Sequence, residues 1–149
     1  MAKITEYTVT DREQWNSVVR SFSDYDVFYL NEYVTAFMNE EKKNGTPTLL
    51  LFENGSDRAM NVVFRRDVAD DGKFSEKIPR DTYYDLISPY GYGGFWGKVG
   101  DYDTLNKTYN SYCLQNSYIC EFVRFELFSD YHLHYDGETE TRTHNVVRS

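Results

Sequence analysis

Residues 83–94 read Tyr83-Tyr84-Asp85-Leu86-Ile87-Ser88-Pro89-Tyr90-Gly91-Tyr92-Gly93-Gly94, with a sharp change of character at Ser88. Before it, Tyr83 to Ile87 has the aromatic and branched content of a short strand; after it, Pro89 and three glycines interrupt any regular element. Helical spacing begins near Tyr102, where Tyr102, Leu105, Tyr109, Tyr112 and Cys113 share one face of a helix expected to run to about Asn116. Ile119 to Phe128 is strand again, with Ile119, Glu121, Val123, Phe125 and Leu127 on one side and Phe122 on the other. Strand, glycine loop, helix and strand form a crossover unit, right-handed by the general rule. The apolar content of both strands makes them adjacent and central by expectation, and Phe122 opposite the other apolar residues makes Ile119 to Phe128 buried on both faces.

Upstream, Thr10 and Glu13 have capping-box spacing before Trp15, Val18, Val19 and Phe22, which fall at i, i+3, i+4 and i+7. Leu30, Tyr33, Val34, Phe37 and Met38 mark a second helix, expected to stop near Asn44-Gly45 with Pro47 following. Thr48 to Glu53 then reads as a strand, Asn54-Gly55 as a turn, and Arg58 to Asp67 as the antiparallel partner across four loop residues. Val68 to Asp81 is polar and aperiodic, so a surface loop is expected. A weaker hairpin around Asp136-Gly137 closes the chain. The order of elements predicts one α/β domain over residues 1–149, a mixed sheet with helices on its faces. Trp15, Val19, Phe37, Leu50, Val62, Leu86, Leu105, Phe122 and Phe125 are the expected core.

The composition is aromatic, with 14 Tyr, 10 Phe and 2 Trp against 3 Pro and 9 Gly, which argues for a packed core. A formal charge of −8 is the wrong sign for gripping phosphate backbones, so no direct DNA binding is expected. The acidity serves solubility, or alternatively an acidic face that engages a basic partner. Two cysteines, Cys113 and Cys120, match neither a disulfide framework nor zinc spacing. No apolar run reaches the roughly 20 residues of a membrane helix, and Met1-Ala2-Lys3-Ile4-Thr5-Glu6 lacks the apolar core of a signal peptide. The expected location is cytoplasmic, without membrane insertion.

Four stretches together carry a family resemblance. Asp26-Val27-Phe28-Tyr29-Leu30-Asn31-Glu32-Tyr33 resembles the opening helix signature of FemAB-like proteins of the GNAT superfamily of acyl and aminoacyl transferases. Arg58-Ala59-Met60-Asn61-Val62-Val63 is similar to their following hairpin strand, and Tyr84 to Gly94 to their Pro-Tyr-Gly-Tyr-Gly-Gly loop. Glu121-Phe122-Val123-Arg124-Phe125 resembles the strand that comes next. The resemblance covers most of residues 15–128 and corresponds to the N-terminal half of the family's two-half architecture. Where members often show His-Pro, this chain has Glu126-Leu127. It implies a GNAT-like sheet and an acyltransferase-like module, either a working transferase or only its substrate-recognition half, with acyl-CoA or aminoacyl-tRNA as donor. The acceptor would be a small-molecule or peptidoglycan-type amine. It singles out no catalytic residue. The alternative is a non-enzymatic acidic interaction or inhibitor protein that reuses the fold. In either case the face that a second half would cover predicts a homodimer or another protein partner.

The ligand-binding residues expected on this reading are Tyr90, Gly91, Tyr92, Gly93, Gly94 and Arg124. Glycines let backbone N–H groups approach an anion closely, as a pyrophosphate or carboxylate requires, and the same residues also suit a purely structural bend. Arg124, on an apolar strand, requires a partner such as Glu121 or Asp85 and could otherwise clamp a carboxylate or phosphate. His132 and His134 would share a strand face near Asp130 and Asp136, a pattern too loose to predict a metal.

Overall fold

The structure, a computed structural model, describes residues 1–38 and 45–142. It opens with a strand that the sequence reading did not include, β1 (Lys3–Thr8), followed by helix α1 (Arg12–Arg20). A 3-10 turn at Val27–Tyr29 leads into α2 (Asn31–Met38). The long strands β2 (Thr46–Asn54) and β3 (Asp57–Asp67) follow, then β4 (Tyr84–Ile87), β5 (Trp96–Lys98), α3 (Tyr102–Gln115) and β6 (Tyr118–Phe122). The sheet is mixed, in the order β1-β2-β3-β4-β6, with β5 paired to the opposite end of β3 from β4. Among the described strands the pairings are antiparallel except that of β4 with β6, which is parallel across the α3 crossover and is prolonged by a parallel bridge between Gly93 and Phe125.

Alternation along β2 and β3 divides the interior between the two faces of the sheet. Leu49, Leu51, Met60, Val62 and Phe64 meet Trp15, Val19 and Val34 of α1 and α2 on one face. Leu50, Phe52, Ala59 and Val63 meet Leu105 and Tyr109 of α3 on the other, together with Leu86, Phe95 and Tyr131. The indole of Trp15 donates to the Tyr29 carbonyl at 2.7 Å, tying α1 to the turn before α2. The hairpin turn is tighter than expected: pairing continues to Asn54↔Asp57, leaving Gly55-Ser56 as the turn, with φ +62° at Gly55. Pro47 lies within β2, but β1 ends at Thr8↔Thr48, so its missing N–H deprives no pairing on that side.

Several expectations are corrected. The Thr10–Glu13 capping box does not form; Asp11 occupies the N-cap without capping the helix. Its carboxylate instead accepts from the Thr8 amide at 2.9 Å and the Thr8 hydroxyl at 2.7 Å, closing the β1–α1 turn. The expected stop of the second helix at Asn44 lies outside the described residues, while Gly45 does take a left-handed φ of +82°. In the polar 68–81 loop, Asp67 accepts from the amides of Ala69 and Asp81, which fixes both ends of the excursion.

The largest correction concerns β6. It is adjacent and parallel to β4 as expected, but it lies at the end of the sheet order rather than in the centre. It also stops at Phe122, not Phe128. Phe122 is 65% exposed, because α1 and α2 pack on β1 and β2, far from this edge. Phe37 and Phe125 are only partly buried; the other six expected core residues are buried. Instead of a hairpin, residues 131–136 fold back over α3 through a 3-10 turn at Tyr131–Leu133. His144, a lone histidine expected at the surface, lies outside the described residues.

Candidate functional site: a glycine loop and a buried carboxylate

The glycine loop leaves β4 beside the carboxyl end of its parallel partner β6. Tyr33 donates its hydroxyl to the Tyr90 carbonyl at 2.8 Å, and the Tyr90 ring stacks on Phe37 with centroids 5.2 Å apart. Gly91 has φ +106°, and a Cβ there would stand 2.4 Å from the Phe28 ring, so the backbone is pressed onto α2's entry turn. The Gly93 amide donates to the Arg124 carbonyl at 2.8 Å, and its carbonyl accepts from Glu126 at 3.1 Å. The Gly94 amide donates to Asn61 Oδ1 at 3.2 Å, and its carbonyl accepts from the Tyr29 hydroxyl at 3.1 Å. Gly93 and Gly94 thus spend their backbone groups inside the fold. Among the described residues, the amides of Tyr90, Gly91 and Tyr92 donate no hydrogen bond, and the Tyr90 side chain is largely exposed.

Arg124 is exposed rather than partly buried. Its amide donates to the Ser88 hydroxyl at 2.8 Å and its guanidinium makes one long contact, 3.4 Å, to the Gly91 carbonyl. Arg124 therefore borders the loop as expected, but neither suggested carboxylate partner holds it. Asp85 is engaged by Arg66, and Glu121 turns to the α3 face. His132 and His134 do not share a strand face: they lie in and just after the 3-10 turn, and His134 stacks on Tyr102 at 3.9 Å. The described residues contain no cluster of His, Cys, Asp or Glu able to hold a metal ion.

Sequence reasoning offers Glu121 only as a partner for Arg124 and misses it as a site group in its own right. It pairs in register with buried Leu86 and faces a cleft of about 270 Å³ between α3, β6 and residues 131–136. Tyr109 of α3 donates to Oε1 at 2.9 Å, and Tyr135 donates to Oε2 at 3.3 Å. Burial pushes this carboxyl up to about 7, against the pull of the hydrogen bonds from Tyr109, Tyr135 and Asn61. Asn61 is itself buried and also receives the Gly94 amide, so one carboxamide links the glycine loop to the carboxylate. Burial, reinforced by the Glu121 charge, pushes the neighbouring Cys113 thiol up to about 12, which keeps it protonated and a poor nucleophile. The signals were present in the sequence: an acid inside the apolar run 118–125 and an amide inside the apolar run 59–64.

Comparison with protein-family models, curated proteins and solved structures finds no match to this chain. No helix of the described residues is long and apolar enough to cross a membrane.

Proposed function

We propose that the chain is an acyltransferase-like module that moves an acyl or aminoacyl group onto an amine, or presents the amine for that step. The observation that carries this reading is the place of Glu121, at the carboxyl end of a parallel strand pair and joined through Asn61 to the glycine loop. Ligands of open α/β sheets bind at the carboxyl ends of such strands. A carboxyl with a pKa of about 7 exchanges its proton at neutral pH, which suits it to relieve an ammonium nucleophile of its proton. The order of elements supports the GNAT-like reading: helices between β1 and β2, an antiparallel β1–β4 run, then α3 leading to a parallel strand. The Tyr90-Gly91-Tyr92 backbone and Arg124 are the parts of the loop left to hold the donor, acyl-CoA or aminoacyl-tRNA. Transfer would then rest on orientation and on amide contacts to the developing oxyanion.

Mass spectrometry of reactions containing either donor and a panel of amines, including peptidoglycan-type precursors, tests this. Glu121→Gln should lower the rate by roughly 10²–10⁴; no transfer from either donor, or an unchanged rate in the variant, refutes it. A second reading, a non-enzymatic interaction protein, draws on the β6 edge, where Ile119 and Phe122 are exposed with Leu127 and Phe128 nearby in sequence. An unguarded apolar edge invites another strand. Light scattering should then find a homodimer or a captured partner, and Ile119→Lys should release it; a strict monomer at high concentration rejects that reading.

A further inference from the structure

Three of the hydrogen bonds around the Glu121 cleft run to its two carboxylates. The hydroxyl protons of Tyr109 and Tyr135 are both spent on the Glu121 carboxylate. Of the two asparagines on the lining, Asn106 donates to the His134 carbonyl at 2.7 Å and Asn110 donates to Asp136 Oδ2 at 2.8 Å. These contacts leave carboxylate lone pairs, the Tyr109 and Tyr135 oxygens and, at the mouth, Asp136 as acceptors, beside one remaining N–H on each asparagine and the Tyr118 and Tyr131 hydroxyls. Among the described residues of the lining both formal charges are negative, and none is Lys or Arg. Aromatic side chains, including Tyr131, supply electron-rich surface that favours a cation over an anion.

We infer that this cleft is a binding site for a primary ammonium group, with Glu121 as its counter-charge and Asp136 as a secondary acceptor at the mouth. Three N–H donors on one nitrogen match the carboxylate and phenol acceptors, whereas a phosphate or carboxylate would face two like charges with no Lys or Arg to offset them among the described lining residues. A volume of about 270 Å³ holds roughly nine water-sized groups, enough for an alkylammonium head but not for a nucleotide. The inference rests on the proposed transferase only in assigning this cleft to the acceptor rather than the donor; the cation preference stands on the cleft alone.

Binding must also be linked to pH. An ammonium ion binds the ionised carboxylate, and Glu121 loses its proton around pH 7. The other titratable groups on the lining are Tyr109 and Cys113 from α3, Tyr118 and Cys120 from β6, and Tyr131, Tyr135 and Asp136 from the 131–136 segment. Burial raises the phenols and thiols further above neutrality, so they keep their protons between pH 6 and 8.

The test is calorimetry and NMR titration of the intact chain with butylammonium, and with butyrate and inorganic phosphate as anionic controls. Saturable butylammonium binding is expected, about tenfold tighter at pH 8 than at pH 6, because the ionised fraction of Glu121 changes by about that factor. Butyrate and phosphate should not compete. Glu121→Gln should weaken binding at least about tenfold and flatten the pH profile, and Asp136→Asn, on the exposed rim, should weaken it about twofold to threefold. The wild-type pH profile keeps the test decisive if the glutamine variant fails to fold. PH-independent binding, preference for butyrate, unchanged affinity in Glu121→Gln, or no saturation up to about 50 mM overturns the inference. Ammonium binding without acyl transfer from any donor would leave this site standing and remove the transferase reading. Transfer by the wild type without saturable butylammonium binding would remove this site and leave the transferase reading standing.

Discussion

Replacing Glu121 by glutamine removes the charge while keeping the shape, and it makes the cost of that charge measurable. The carboxyl's proton affinity is raised from 4.5 in the open chain to about 7 in the fold, chiefly by burial. The folded state therefore holds its proton more tightly than the unfolded state. Stability linked to this group is fully present below pH 4.5 and is lost as pH rises through 7. Each tenfold change in proton affinity is worth about 1.4 kcal/mol, so the upper bound is about 3 kcal/mol. Residual solvent contact at Glu121 screens part of this, and about 2 kcal/mol between pH 5 and pH 8 is a sounder expectation. Glutamine carries no such dependence. Urea melts at pH 5, 6, 7 and 8 should show the stability difference moving by about 2 kcal/mol in favour of the variant as pH rises, most of it below pH 7. Parallel stability curves for the two proteins would show that the carboxylate is not buried as described, and the argument for the cleft would lose its electrostatic basis.

Three further substitutions probe the frame. Trp15→Phe removes the indole donor from the buried Tyr29 carbonyl and leaves a void, so a loss of about 2–4 kcal/mol is expected in urea melts. Gly91→Ala puts a methyl group into the Phe28 ring at φ +106°, and a loss of about 1–3 kcal/mol with the secondary structure intact should appear by circular dichroism. Phe122→Ala should cost less than about 1 kcal/mol, since the ring is mostly in solvent; a core-sized loss of about 3–5 kcal/mol would return β6 to the interior.

The periodic parts of this fold were legible in the sequence because their signals are local. Trp15, Val18 and Val19 announce α1, and Leu105 and Tyr109 announce α3, through spacing alone. Asn54-Gly55 between two apolar runs announces the β2–β3 hairpin. β1 was invisible because Lys3 to Thr8 is a partly exposed outer strand with polar alternate residues, recognisable only once Leu49, Leu51 and Glu53 lie opposite it. The edge position of β6 could not be read either, since apolar content reports a strand and not its number of neighbours. The glycine loop was found where expected, but the use of its amides was not. Gly93 and Gly94 are satisfied by Arg124, Glu126 and Asn61, each about 30 residues away in the chain. Glu121 was noticed as a pairing partner for arginine, whereas its character comes from Tyr109, Tyr135 and Asn61, which three different parts of the chain deliver.

The division of the interior by β2 and β3 also bears on how the chain reaches this state. The hairpin is held by a two-residue turn, so its contacts close short loops and form before those of the β4–β6 crossover. Leu49 and Leu50, or Val62 and Val63, are chain neighbours that serve opposite cores. Once the hairpin exists, both cores have their template, and neither can be assembled or dismantled without it. Mutations in the hairpin should therefore slow folding, while mutations in the outer strands β1 and β6, which dock on it across longer loops, should chiefly speed unfolding. The two cores are separated in space yet joined in time, and the protein should melt in one transition rather than two.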